Sequence, residues 1–188
     1  MNDIGLGHTA THDGICVYIA NRPPLPEYQQ LNDLIPLVNG DISDIARLTG
    51  NHWRKIFNVY AKLIFSLLTS DQKLPSTIDT WQNYRDNTLL QPGSGTALFF
   101  SSANFHQKPN VLFSEGNELE NVSIIMGKQY AASLGFNRET NKALVQIDAD
   151  FAICPDKKLI VCPYFDYRQL SNIKIERLVK LIQQLRGL

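Results

Sequence analysis

Four short runs are apolar at nearly every position: residues 15–20 (ICVYIA), 96–101 (TALFFS), 122–126 (VSIIM) and 159–162 (LIVC). Continuous apolar runs of this length, rich in β-branched residues and bounded by turn formers, predict strands buried on both faces. Two lesser strands are predicted at 143–147 and 151–154. Elsewhere the period changes. Trp53, Ile56, Phe57, Tyr60, Ile64, Leu67 and Leu68 recur at helical steps, predicting a long helix opened by Asn51. Leu63 and Phe65 widen its apolar stripe, so the helix is expected to be covered on more than one side. Ile175, Leu178, Val179, Ile182 and Leu185 form a single stripe between a capping Asn172 and a terminating Gly187. Shorter helices are predicted at 41–48 with Asp41 as cap, at 80–84, at 118–120, and from Gly127-Lys128 to Gly135. Strands apolar on both faces that alternate with helices predict an α/β fold in three layers. Its centre is a mainly parallel sheet of four or five strands with helices on both faces.

Composition narrows the class. At 188 residues, the chain has the length of a single domain, 1–188, with polar residues 1–13 read as a frayed lead-in. Hydrophobic residues make up 44% and charged residues 19%, the balance of a globular chain and not a disordered one. Eighteen basic residues balance eighteen acidic ones, which excludes a polybasic arm or an acidic tail. The start lacks the basic and apolar segments of a secretory signal. The longest apolar stretch, 56–68, is interrupted by Asn58 and Lys62 and falls short of the ~20 residues of a membrane span. Cys16, Cys154 and Cys162 lie in apolar runs without CxxC spacing and read as buried free thiols. No membrane association and a cytoplasmic location are expected. The charge is locally uneven, because residues 151–188 carry seven basic and three acidic side chains. Lys174, Arg177 and Lys180 of that segment form a stripe that either meets phosphates or is a solvated helix face.

In parallel sheets ligands bind beyond the carboxyl ends of the strands. The residues there are Asn21 and Arg22 after the first run, and Asn104, Phe105 and His106 after the second. Gly127 and Lys128 follow the third, and Tyr164, Asp166 and Arg168 follow the fourth. Amides, cations and aromatic rings together suit an anionic ligand with a planar ring, although loops carry polar residues in any case. Asn104 would read a base edge, Phe105 or Tyr164 would stack on it, and Lys128 and Arg168 would hold phosphate. His106 is an acid–base candidate because its imidazole titrates near neutrality. Asp166 and Arg168 either shape a phosphate-binding loop at a helix start, or an Asp166–Arg168 or inter-loop ion pair merely fixes the shape of the loop.

Other patterns point to no cofactor and no metal. Gly93-Ser94-Gly95 lacks the Gly-Lys-Ser/Thr of a phosphate loop and precedes a strand, so it reads as a turn. It is no nucleophile elbow either. Asp148 and Asp150 would share a strand face able to hold Mg²⁺, but a solvated turn is the commoner meaning of such a pair. His8 and His12 are spaced as ligands in a polar, Gly-punctuated segment that is poorly suited to a metal. His52 reads as a surface or capping residue of the first helical turn.

Three segments carry a family resemblance. Gly50-Asn51-His52-Trp53-Arg54-Lys55-Ile56 resembles the glycine-asparagine-x-aromatic-tryptophan segment of mismatch-type uracil-DNA glycosylases. Ile124-Ile125-Met126-Gly127-Lys128-Gln129-Tyr130-Ala131-Ala132 is similar to that superfamily's late strand, glycine-lysine and alanine-rich helix. Val161-Cys162-Pro163-Tyr164-Phe165-Asp166, with Arg168 and Ser171-Asn172, occupies the place of its terminal strand and histidine-proline-serine loop. The resemblance implies that Asn21 stands where the family positions the attacking water, followed here by Arg22-Pro23-Pro24 instead of proline-glycine. It also places Tyr164 where the family has a histidine that stabilises charge on the leaving base. Tyr164 would donate one hydrogen bond, without a cation's charge.

The expectation is therefore a uracil-DNA-glycosylase-like domain that binds a nucleic-acid base or nucleotide, with glycosylase chemistry altered or absent. Asn21 and Tyr164 would form its catalytic pair, and DNA or a nucleotide its partner. Two alternatives stay open: a non-catalytic protein-interaction module, and a small-molecule enzyme that uses His106 as acid or base.

Overall fold

A computed structural model of the chain describes residues 4–9, 13–100, 121–137, 139 and 141–187. The four apolar runs lie side by side as its central strands, all parallel: β4 (Thr96–Phe99), β2 (Ile15–Tyr18), β5 (Val122–Met126) and β8 (Leu159–Cys162). β1 (Gly5–Gly7) runs antiparallel to β4, and β3 (Leu34–Ile35) runs parallel to β1. On the opposite side β7 (Ala152–Cys154) and β6 (Val145–Gln146) extend the sheet as antiparallel strands. Among the described residues the result is an α/β fold with one mixed, mostly parallel eight-stranded sheet in the order β3-β1-β4-β2-β5-β8-β7-β6. Six α-helices accompany it: α1 (Pro26–Gln29), α2 (Asp41–Thr49), α3 (Asn51–Ser70), α4 (Trp81–Asn87), α5 (Lys128–Ser133) and α6 (Asn172–Arg186).

The expected count of four or five strands is too low, and the expected fraying of the first residues does not hold for β1. The added strands are two or three residues long and carry no period of their own. Pairing with a longer neighbour creates them. β1 shows how close that pairing is. A Cβ at Gly5 would lie 2.3 Å from the Leu98 carbonyl oxygen, so only glycine fits there. Helix starts also differ in detail. Gly40, not Asp41, stands at the N-cap of α2, while the Asp41 carboxylate accepts from the Val38 N–H at 2.8 Å. Thr80 caps α4 by accepting from the Asn83 N–H at 3.2 Å. The helix expected at 118–120 lies outside the described residues.

Alternation along the strands sorts the core into two clusters. Val17, Leu98, Ile124 and Ile160 join Ile56, Phe57, Tyr84 and Ile182 from α3, α4 and α6. Tyr18, Phe99, Ile125 and Val161 face the other way and join Ala131 of α5, Phe136 and Leu144. Cys16, Cys154 and Cys162 are buried free thiols, as expected. Tyr60 ties the long helix to the sheet: its hydroxyl is buried and donates to the Ile15 carbonyl at 2.8 Å and the Ala97 carbonyl at 3.1 Å. At the far end of α3, Asp71 pairs with Arg186 of α6 at 3.4 Å, with side chains only 4% and 6% exposed. Gln183 donates to the other oxygen of the same carboxylate at 2.6 Å. Among the described residues no helix is long and apolar enough to cross a membrane.

The two crossovers locate a crevice. The connection from β2 to β4 carries α2, α3 and α4 over the face of the larger cluster. The connection from β5 to β8 carries α5 over the other face. Neighbouring strands β2 and β5 thus send the chain to opposite sides, and it is beyond the carboxyl ends at such a switch point that open α/β sheets bind their ligands.

Candidate functional site

Asn21 leaves β2, Gly127 leaves β5 and Tyr164 leaves β8 at this edge of the sheet. Phe165, fully buried, packs edge-on against the Tyr60 ring at 5.8 Å and so fixes the backbone beside Tyr164. A Cβ at Gly127 would lie 4.0 Å from Cδ2 of Tyr164, which places the end of β5 beside the tyrosine ring. His52, in the first turn of α3, completes the group. Its Nε2 lies 3.1 Å from the Tyr164 hydroxyl, and the two rings stack with centroids 5.6 Å apart. Behind them Trp53 is buried and meets Phe100, the residue after β4, edge-on at 6.1 Å.

Burial pushes the Tyr164 phenol up to about 12, while a hydrogen bond from the Asn21 side chain acts on it in the opposite direction. The phenol therefore stays protonated at neutral pH and serves as a donor. The Tyr164 hydroxyl and Nε2 of His52 share one hydrogen bond, whose direction follows the imidazole tautomer. Asn21 and His52 are exposed and Tyr164 is half-buried, so this chain of polar groups faces solvent.

The remaining residues expected at the site divide sharply. Lys128 is engaged by a neighbouring loop: its ammonium donates to the Ala149 carbonyl in the turn between β6 and β7. Arg168 is exposed, with its guanidinium 5.8 Å from the Tyr167 ring, and no described contact joins it to Asn21 or Tyr164. Arg22 is committed to its own loop, donating to the carbonyls of Gln29 at 3.0 Å and Leu31 at 2.9 Å. Asn104, Phe105 and His106 lie outside the described residues.

Asp166 is paired with Lys55 of α3 at 2.8 Å, and not with the Arg168 side chain. Hydrogen bonding from Lys55 is the main cause that holds its carboxyl below the usual range, aided by the Arg168 backbone N–H at 3.0 Å. The Asp148–Asp150 pair forms a turn, with Asp148 accepting the N–H groups of Asp150 at 2.8 Å and Phe151 at 2.9 Å. These carboxylates also engage two of the three cations of the expected basic stripe: Lys174 meets Asp150 at 2.9 Å and Arg177 meets Asp148 at 3.7 Å. Gly93-Ser94-Gly95 is a turn at the opposite, amino edge of the sheet, with the Gly93 N–H on Nδ1 of His8 at 3.4 Å.

His52, read from the sequence as a surface or capping residue, is exposed in the first helical turn and also meets Tyr164. Helical periodicity marks it only as a polar position. The signal that would have found it is topological, since a crossover helix that turns back over the sheet starts near the strand ends. The chain belongs to the family described as a family of unknown function (DUF6942), which matches residues 4–183. No curated protein and no solved structure matches it.

Proposed function

We propose that the crevice beyond β2, β5 and β8 binds a planar, hydrogen-bonding ligand, a nucleic-acid base or nucleotide, as a uracil-DNA-glycosylase-like domain with altered or absent glycosylase chemistry. The observation that carries this reading is the Tyr164–His52 contact at 3.1 Å, with the Asn21 amide on the same phenol. One amide, one phenol and one imidazole offer donors and acceptors to a base edge, and the stacked rings offer a flat apolar face. The position at the switch between β2 and β5 is where open α/β sheets take their ligands.

The same groups limit the chemistry. Asn21 can orient a water but cannot take its proton, and the Asp166 carboxylate is held by Lys55. Tyr164, neutral at physiological pH, would give a leaving base one hydrogen bond, with His52 as the group that exchanges protons with it. Binding is accordingly the primary activity, and any base excision would be slow.

Fluorescence anisotropy with labelled single- and double-stranded oligonucleotides, at low and high salt, tests the reading. Binding that weakens with salt and is lost in a Tyr164→Phe/His52→Ala double variant is expected. No binding of either strand form at low salt would overturn the nucleic-acid reading. Release of free uracil from a uracil-containing strand measures the remaining chemistry.

A further inference from the structure

On the outer side of the helical layer, α2, α3 and α4 meet around an open groove of about 260 Å³ lined by Arg47, Arg54 and Arg85, with Ser43 and Asn58 between them. No carboxylate belongs to the lining, although the chain as a whole has as many acids as bases. We propose that this groove is an oxyanion site for a small phosphorylated molecule.

The three guanidinium groups differ in how they are held, and the differences suit that role. Arg85 is pre-set. It donates through Nε and a terminal nitrogen to Asp86 at 2.7 and 3.0 Å, and through the other to Asn58 at 2.6 Å. Its cation also rests 5.6 Å from the Trp81 ring. These contacts use three of the five N–H donors of a guanidinium, leaving two for a ligand. Arg54 has no ion pair among the described residues. Arg47 is held only by Asp44 at 2.9 Å, with side chains 66% and 63% exposed. Such an exposed pair is weak and gives way to a more highly charged oxyanion.

Ser43 adds a hydroxyl, and Phe57, Ile42 and Ala46 supply an apolar floor. The volume falls below the ~300–1,000 Å³ of sites for drug-sized molecules and suits one or two phosphoryl groups. The site uses residues distinct from Asn21, His52 and Tyr164, so it does not depend on the function proposed for the crevice.

Isothermal titration of the whole protein with inorganic pyrophosphate at low ionic strength tests this inference. Saturable binding is expected, weakened about tenfold by Arg54→Ala, the loss of one charge-assisted contact. Asp44→Asn, which frees Arg47, is expected to tighten it. Tyr164→Phe should leave it unchanged. Arg54, Asp44 and Arg47 are all exposed, and unchanged thermal melts confirm that the variants fold. Absence of saturable binding, or binding indifferent to Arg54→Ala and Arg47→Ala, would overturn the proposal. So would an oligonucleotide that binds this face while pyrophosphate fails to compete, since the face would then be a nucleic-acid surface.

Discussion

The hydroxyl of Tyr164 and Nε2 of His52 lie 3.1 Å apart across 112 residues of sequence. This contact joins the loop after the last central strand to the first turn of the longest helix. Both residues look outward, so the contact orders a surface crevice more than it supports the core.

Removal of the hydroxyl alone separates these two roles. Tyr164→Phe keeps the ring that stacks on His52 at 5.6 Å and deletes only the polar contact. Oligonucleotide affinity is expected to fall about tenfold, while stability changes by only about 1 kcal/mol, the net worth of one hydrogen bond. Parallel anisotropy and urea-denaturation curves provide the comparison.

Buried phenols make the fold sensitive to alkali. Burial raises Tyr164 from 10.0 to about 12, and burial likewise pushes Tyr60 and Tyr84 upward. In the unfolded chain these groups ionise near the ordinary value, so above it the folded state binds more protons. Their contribution is complete below about pH 10 and declines as the pH rises through the folded-state values. Urea midpoints should therefore fall between about pH 10 and pH 12, less steeply in Tyr164→Phe. Absorbance of the phenolate band should show delayed ionisation in the folded protein.

The Asp71–Arg186 pair holds the ends of α3 and α6 together, with both side chains more than nine-tenths buried. Asp71→Ala removes the carboxylate partner of a buried guanidinium, which keeps its contact to the Asp13 carbonyl, and is expected to cost about 3 kcal/mol. Asp71→Asn keeps an acceptor for Gln183, whose amide donates to Oδ1 at 2.6 Å, and should cost less. Urea unfolding ranks the two. A deeply buried pair is little screened, so the difference should persist at high salt.

Gly5→Ala tests the pairing of the first strand. The added methyl would meet the Leu98 carbonyl oxygen at 2.3 Å, a backbone atom that cannot turn aside. A loss on the order of 1–3 kcal/mol is expected, the usual cost of overpacking. Faster amide exchange across β1 and β4 would locate the damage.

The legible parts of this fold are those in which each residue's own neighbours decide its state. ICVY, TALF, VSIIM and LIVC are apolar on both faces and could lie only in the middle of a sheet. The stripe of α6 ends at Gly187, whose φ of 78° suits glycine. β1 and β3 were not legible, because glycines and two-residue segments acquire their state from the strands beside them. At the candidate site, the strand-end rule pointed to Asn21 and Tyr164, which the fold places beside one another. It could not show that Lys128 turns to Ala149, or that Asp148 and Asp150 engage Arg177 and Lys174, because those partners meet only through the fold. The contact of His52 with Tyr164 was hidden by the helical period, which reports the face a residue occupies and not the edge of the sheet its helix starts from.

The phenol of Tyr60, held between the carbonyls of Ile15 and Ala97, pins the long helix to β2 and β4. His52 stands eight residues nearer the start of the same helix, a distance of about 12 Å at the helical rise. Any tilt of the helix about Tyr60 would move His52 relative to Tyr164. The gap between imidazole and phenol is therefore a gauge of helix angle, and substitutions in the core around Tyr60 should retune the crevice without touching a residue that lines it.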